Sequence, residues 1–446
     1  MKNVAMMSSH KAFILAVSGA AIGIGSIWRM PYLIGENGGS LFICCYLFFI
    51  LILGIPAMVA EILIGRIGRG PPAEALKIVS ASGSGTSVHW SKIAILGTLA
   101  SALILSFYCV VSGWGVHYLW MSLSGLQVGS VAKAEVIFND FLGRPSLLLG
   151  YGTLFLIMTF GVSAFKVNNG IERLNDMLMP FLYTILIVLV IYAATLPGFT
   201  KALHYILHPN WSELKPSMLL TAMGMAFFTL ATGACCLMAY GAYMPQTQSI
   251  LFSVSVVAVI NLVVTLCAGI AIFSIVFSYG MSASSGPGLI FMALPVALKD
   301  MPFGLLIMPV FFFLLLIACW TSSVNLAEPL VATLSHKMNS RLKGTCCSAL
   351  IVWCLGLIPA FSFNILKNIK FFGQDLFSLY TGLATDIFLP VTGFLILLFT
   401  GRAMKQQYFI QQMNLNQFWG KFWYFLVKYV GPLGLLLIFL TNFVKA

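Results

Sequence analysis

Apolar residues in this chain gather into long unbroken runs separated by short polar segments, and none alternates polar with apolar in the manner of a membrane strand. The runs predict eleven membrane-crossing helices, at about 12–34, 39–65, 93–122, 146–165, 174–196, 217–240, 250–279, 303–333, 345–362, 376–400 and 422–443. Two are interrupted. The first carries three glycines, an arginine and a proline near its middle, between Gly19 and Pro31. Each of these weakens a helix or adds a charge that hydrocarbon cannot solvate. The stretch reads as a helix broken at mid-membrane, its freed amides and carbonyls lining a cavity or binding something; the alternative is a glycine packing face with an incidental arginine. The sixth run holds a second interruption, Phe228-Thr229-Leu230-Ala231-Thr232-Gly233. It lies five spans after the first, so the two cross in opposite directions. The chain then divides into two inverted five-helix halves, 12–200 and 217–401, and a terminal helix at 422–443, within one domain over 1–446. Breaks at matching positions of two halves point to a transporter's binding site.

Composition changes this picture little. With 60% hydrophobic and 8% charged residues a soluble protein is excluded, and an all-α polytopic membrane protein is expected. The net charge of +12 would suggest nucleic acid in a soluble domain, but the basic residues sit in short loops between spans. Fourteen fall on the side of the N-terminus and eight on the other, which places the N-terminus in the cytoplasm and the C-terminus outside. The first run lacks a small-residue cleavage site and reads as a retained span. Ten cysteines, three pairs of them adjacent, occupy or flank apolar runs without CxxC spacing and read as small helical hydrophobes. HExxH, GxSxG and paired catalytic carboxylates are missing from the sequence, so an intramembrane enzyme is not expected. His204 and His208 are spaced i,i+4 in a loop, and two histidines are too few for a metal centre.

Several longer motifs occur in order: GIGSIWRMPYLIGENGG (23–39), GIP with Glu61, Tyr108 with Trp114, ATLPG (194–198), AFFTLATG (226–233), SGPGLIF (285–291) and TSSVNLAEP (321–329). Together they resemble the neurotransmitter:sodium symporters, in their eleven-span prokaryotic amino-acid branch. The resemblance implies a LeuT-type fold in the bacterial inner membrane and a neutral amino-acid substrate. It also implies one or two sodium ions, each needing a cage of oxygens. The first cage would use carbonyls of Gly19, Ile22 and Ala318 with hydroxyls of Thr321 and Ser322; hydroxyls in such helices also bond back to the preceding turn. The second would use Ala21, Ser26, Thr229 and Asn261. Ser26 stands where the family usually has asparagine, and Asn261 also reads as a packing asparagine bonded across helices.

A substrate carboxylate would meet amides of the first break, from Ala21 through Gly23 to Gly25, where a half-helix N-terminus offers donors. Tyr108 would add a phenolic hydrogen bond. The amine would meet carbonyls of Phe228, Ala231 and Thr232. Amine-transporting relatives place aspartate where this chain has Gly23, which argues for an amino acid. Ile104, Phe228, Ala231, Ala234, Ser322 and Leu326 would line the side-chain pocket. None is ionisable, and the two alanines leave room for a bulky or aromatic side chain. Glu61 would accept amides freed by the sixth-span break, while Glu328 reads as a gate, a proton site or the partner of a tyrosine.

The pattern departs from the family at both gates. Arg29 is present, but counting back from Pro390 puts Thr381 where an aspartate is usual, with Asp375 and Asp386 five or six residues away; Met225 replaces a supporting glutamine. At the N-terminal face Val4, Met7 and His10 replace the usual basic and tryptophan residues, and His336 replaces their acidic partner. Ionic pairs are expected to be missing from both gates. Tyr46, Thr229, Asn261 and Thr265 partly surround a candidate chloride position without a cation. The leading expectation is sodium-driven symport of a neutral, hydrophobic or aromatic amino acid; the alternative is a non-transporting amino-acid receptor on the same scaffold. The sequence carries no signal for a particular oligomeric state.

Overall fold

The structure is a computed structural model that describes residues 6–83, 90–126, 128–281, 290–371 and 373–445. Val4 and positions 285–289 of the SGPGLIF motif lie outside the described residues. Among those described, nine helices are long and apolar enough to cross a membrane. A tenth span is the pair His10–Ala21 and Gly25–Glu36, bent by 53°. The sixth span is likewise in two pieces, Pro216–Thr229 and Cys236–Tyr243, neither long enough alone. The expected boundaries shift by a few residues: span two covers Ser40–Gly68, span three Ser91–Leu123 and span eight Gly304–Met338. A small hairpin pairing Lys370–Phe371 with Gln374–Asp375, and short helices such as Phe199–Leu207, are additions that the apolar runs did not predict.

The break in span one is narrower than its sequence suggests. Ser9 caps the first half, its hydroxyl accepting from the Ala12 amide at 3.1 Å, and the helix ends where Ile22 turns to extended backbone. Arg29 and Pro31 then lie inside the resumed helix, not in the break, because a π turn at Gly25–Arg29 precedes the proline. A proline ring collides with the carbonyl four residues back, and a wider turn ahead of it relieves that clash. The same device recurs in spans two, ten and eleven, where π segments at Ile50–Gly54, Leu383–Phe388 and Leu426–Val430 each end two residues before a proline. In each, the residue before the proline donates to a carbonyl five positions back. The helix register beyond these prolines is therefore not that of a regular α-helix.

Span six breaks over Leu230–Cys235, with Ala231, Gly233 and Cys235 at φ of 53°, 87° and 58°. Left-handed backbone at two non-glycine residues stores about 1–3 kcal/mol each, so neighbours must hold it in place. Glu61 of span two does so, Oε1 accepting the Gly233 amide at 2.5 Å. Gly233 itself tolerates no substitution, since a Cβ there would lie 2.4 Å from the Leu389 carbonyl oxygen.

Candidate functional site

The two breaks face each other. A Cβ on Gly25 would lie 3.0 Å from the Phe228 ring, and one on Gly23 would lie 2.4 Å from the Tyr108 hydroxyl and 2.8 Å from Ser322. Spans three and eight thus meet span one at Gly23, and span six meets it at Gly25. Tyr108 accepts the Ile24 amide at 3.1 Å, holding a donor freed by the break. Between the breaks lies a small pocket of about 30 Å³. Its floor and walls include Ala21, Gly23, Gly25, Ile104, Tyr108 and Phe228; Ala231, Ala234, Ser322 and Leu326 complete the set that the sequence singled out. Thr232 is not among the lining residues, and its hydroxyl donates to the Phe227 carbonyl at 2.9 Å. Ala20, Thr229 and Leu389 also line the pocket, and Leu389 is an apolar residue in an apolar span that nothing in the sequence marks. Among the described residues, none that lines the pocket carries a charge.

Beside this pocket the first half of span one packs against span eight, which carries Ala318, Thr321 and Ser322 of the first expected sodium cage. Ser322 reaches across to the Ala20 carbonyl at 3.3 Å, while Thr321 donates back to the carbonyls of Ile317 and Ala318 at 3.1 and 3.2 Å. Back-bonding uses only the hydroxyl hydrogen, so the oxygen lone pairs stay available to a cation. Two further asparagines face Gly19 here. Asn175 Nδ2 donates to the Ile171 carbonyl at 2.8 Å and Asn325 Nδ2 to the Thr321 carbonyl at 2.6 Å, leaving both buried Oδ1 atoms without a protein partner. Sequence reasoning passed over them because a single asparagine in a span resembles any back-bonded polar residue.

The second set forms one hydrogen-bonded chain. Ser26 donates to the Ala21 carbonyl at 3.2 Å and to Asn261 Oδ1 at 2.7 Å, Asn261 Nδ2 donates to the Tyr46 hydroxyl at 3.0 Å, and Tyr46 meets Thr229 at 2.7 Å. Thr229 in turn donates to the Met225 carbonyl and Thr265 to the Asn261 carbonyl. Asn261 is therefore both a potential cation ligand through Oδ1 and a cross-helix brace.

Among the described residues no ion pair joins Arg29 to an acidic side chain, as expected at the outer gate. Asp375 is spent as a helix cap, accepting the Ser378 amide at 2.8 Å, but Asp386 lies with Arg29 in the wall of one cavity of about 170 Å³. Thr381, at the position matched to the aspartate, donates back to the Phe377 carbonyl at 2.8 Å. Arg29 stacks over the Phe228 ring at 5.0 Å from its centroid. At the N-terminal face Glu172 clasps the chain entering span one: the Ser8 amide lies 3.3 Å from each carboxylate oxygen and its hydroxyl also bonds Oε1. His336 pairs with Glu74 at 2.7 Å, and the Met7 amide donates to the Tyr243 carbonyl. Glu328 is fully buried; Arg341 binds it through two bonds of 2.7 and 2.6 Å, and the Tyr243 hydroxyl adds a third at 2.5 Å.

A helical membrane bundle whose first and sixth spans break against each other around a small pocket is the LeuT-type transporter fold. Across 99% of the chain it superposes on the whole of MhsT, solved in complex with L-phenylalanine, with a TM-score of 0.90 and 35% identity. The chain belongs to the sodium:neurotransmitter symporter family, whose sequence profile matches residues 5–133 and 142–446. It is 32% identical over 442 residues to an uncharacterized sodium-dependent transporter of Bacillus subtilis, covering 97% of this chain and 96% of the relative. To an uncharacterized sodium-dependent transporter of Haemophilus influenzae it is 30% identical over 446 residues, covering 98% and 97%. It is thus a sodium-dependent membrane transporter and not an enzyme.

Proposed function

We propose that this protein imports a neutral, hydrophobic or aromatic amino acid by sodium-coupled alternating access in the bacterial inner membrane, with its N-terminus cytoplasmic and its C-terminus outside. The observation that carries this reading is the uncharged pocket between the two breaks, where Gly23 leaves no space for an acidic side chain. An α-carboxylate there finds the amides of the first break, and an ammonium the carbonyls of the second. The phenylalanine held by MhsT, a protein of the same fold, supports a side chain of that size. Sodium is held by the Gly19, Ile22, Ala318, Thr321 and Ser322 oxygens, and a second ion by Ala21, Ser26, Thr229 and Asn261 once Ser26 releases Asn261 Oδ1. The two inverted halves, 12–200 and 217–401, supply one break each, and one helix bundle rocks against the rest about this site. Equilibrium binding of the twenty amino acids to purified protein, in sodium and in potassium, tests the reading. Sodium-dependent binding led by phenylalanine, leucine or tryptophan is expected; glycine, glutamate or lysine binding tightest would overturn it.

Two further outcomes follow. Tyr46, Thr229 and Thr265 each spend their hydroxyl hydrogen on a protein acceptor, so the candidate anion position offers little to chloride. Uptake is expected to be unchanged when gluconate replaces chloride. Arg29 and Asp386 form the outer gate across their shared cavity, and Asp386→Asn is expected to speed release of pre-bound labelled substrate by roughly tenfold. Unaltered release would exclude Asp386 from the gate.

A further inference from the structure

Two cavities meet beside the helix breaks. The larger, of about 170 Å³, holds Arg29 and Asp386; the smaller, of about 30 Å³, lies between the helix breaks. Their linings share two residues only, Phe228 of span six and Leu389 of span ten. These two side chains are the partition between the cavities. Phe228 is held from both sides, by the Arg29 guanidinium 5.0 Å from its centroid and by the bare backbone at Gly25. Leu389 is held differently. Its amide bonds the Ala384 carbonyl across the π segment, the next residue is Pro390, and its carbonyl and Cδ2 occupy the space that a Gly233 side chain would need. It is 4% exposed and no polar group restrains its side chain.

We infer that Leu389 is a specificity-determining residue of the substrate pocket, which closes its far end with Phe228 and limits the length of the amino-acid side chain admitted. The inference rests on the pocket being the amino-acid site. The argument is one of volume. Ala231 and Ala234 project no more than a methyl group each, so of the span-six lining only Phe228 bounds the length of the pocket. Leu389 stands on the line between pocket and Arg29 cavity, and enlarging or shortening it moves that end wall while the groups that meet the carboxylate and amine stay in place. A side chain long enough to touch both Phe228 and Leu389 completes the partition; a short one leaves it unsupported.

The test is competition binding in sodium on the full-length protein, with alanine, valine, leucine, phenylalanine and tryptophan. Discrimination by a hydrophobic pocket is worth on the order of tenfold or more per methylene-sized change. Leu389→Ala is expected to raise the tryptophan-to-leucine affinity ratio about tenfold and to hasten release of bound phenylalanine. Leu389→Phe is expected to reverse the order, favouring alanine and valine over phenylalanine. Should the alanine variant fail to fold, Leu389→Val reads the same sign at several-fold. If wild type binds amino acids and every variant shifts all affinities by one common factor, the role of Leu389 is overturned while the pocket assignment stands. If wild type binds no amino acid, the pocket assignment falls and this inference with it.

Discussion

Replacing Glu328 with alanine is expected to destabilise the protein by about 3–5 kcal/mol, the cost of stranding a buried charge. Glu328 is 0% exposed and gathers Arg341 through both guanidinium nitrogens and Tyr243 through its hydroxyl. Arg341 is in turn anchored by the Ser163 carbonyl at 2.9 Å. The cluster therefore ties span eight to the start of span nine, the end of span four and the second half of span six. Without the carboxylate, a guanidinium with 22% side-chain exposure keeps the Ser163 carbonyl but loses both of its charge-assisted bonds. Its effect is read as a shortened half-life at fixed temperature in detergent. Removing both charges, as Glu328→Met with Arg341→Leu, is expected to recover most of that lifetime, because a buried pair and its apolar isostere are often close in stability. A double variant as labile as Glu328→Ala alone would show that the ion pair itself supplies the stability.

Gly23→Ala is expected to weaken amino-acid binding by about 10–100-fold. The added methyl would sit 2.4 Å from the Tyr108 hydroxyl and 2.8 Å from the Ser322 Cβ, neither of which can yield without moving span three or span eight. Tyr108 would release the Ile24 amide, and Ser322 the Ala20 carbonyl. Substrate and first sodium site should thus fail together, seen as loss of sodium-dependent binding at retained monodispersity. Gly224→Ala, where a Cβ meets nothing within 4 Å, is the control expected to leave binding intact.

What was legible in the sequence were departures from apolar monotony. Glycines inside span one and the Thr-Leu-Ala-Thr-Gly stretch of span six announced the breaks, and the pocket residues carried by the family motifs assembled around them. Residues whose part depends on three-dimensional register were not legible. Asp386 was set aside because matching back from Pro390 puts Thr381 at the aspartate's place; only the fold shows that Asp386 shares a cavity wall with Arg29. Arg341 looked like one more loop cation, though it reaches back to bury its head against Glu328. Leu389 has no feature that separates it from any other span leucine. Asn175 and Asn325 matter through their juxtaposition at Gly19, which joins spans five, eight and one across more than a hundred residues of sequence.

Uptake of labelled L-phenylalanine into proteoliposomes, under an inward sodium gradient, tests most directly whether the paired breaks form a coupled site. Accumulation above the equilibrium level, which collapses when sodium ionophore dissipates the gradient, is the result expected. Binding of phenylalanine without gradient-driven accumulation, or accumulation that persists with potassium in place of sodium, would contradict it.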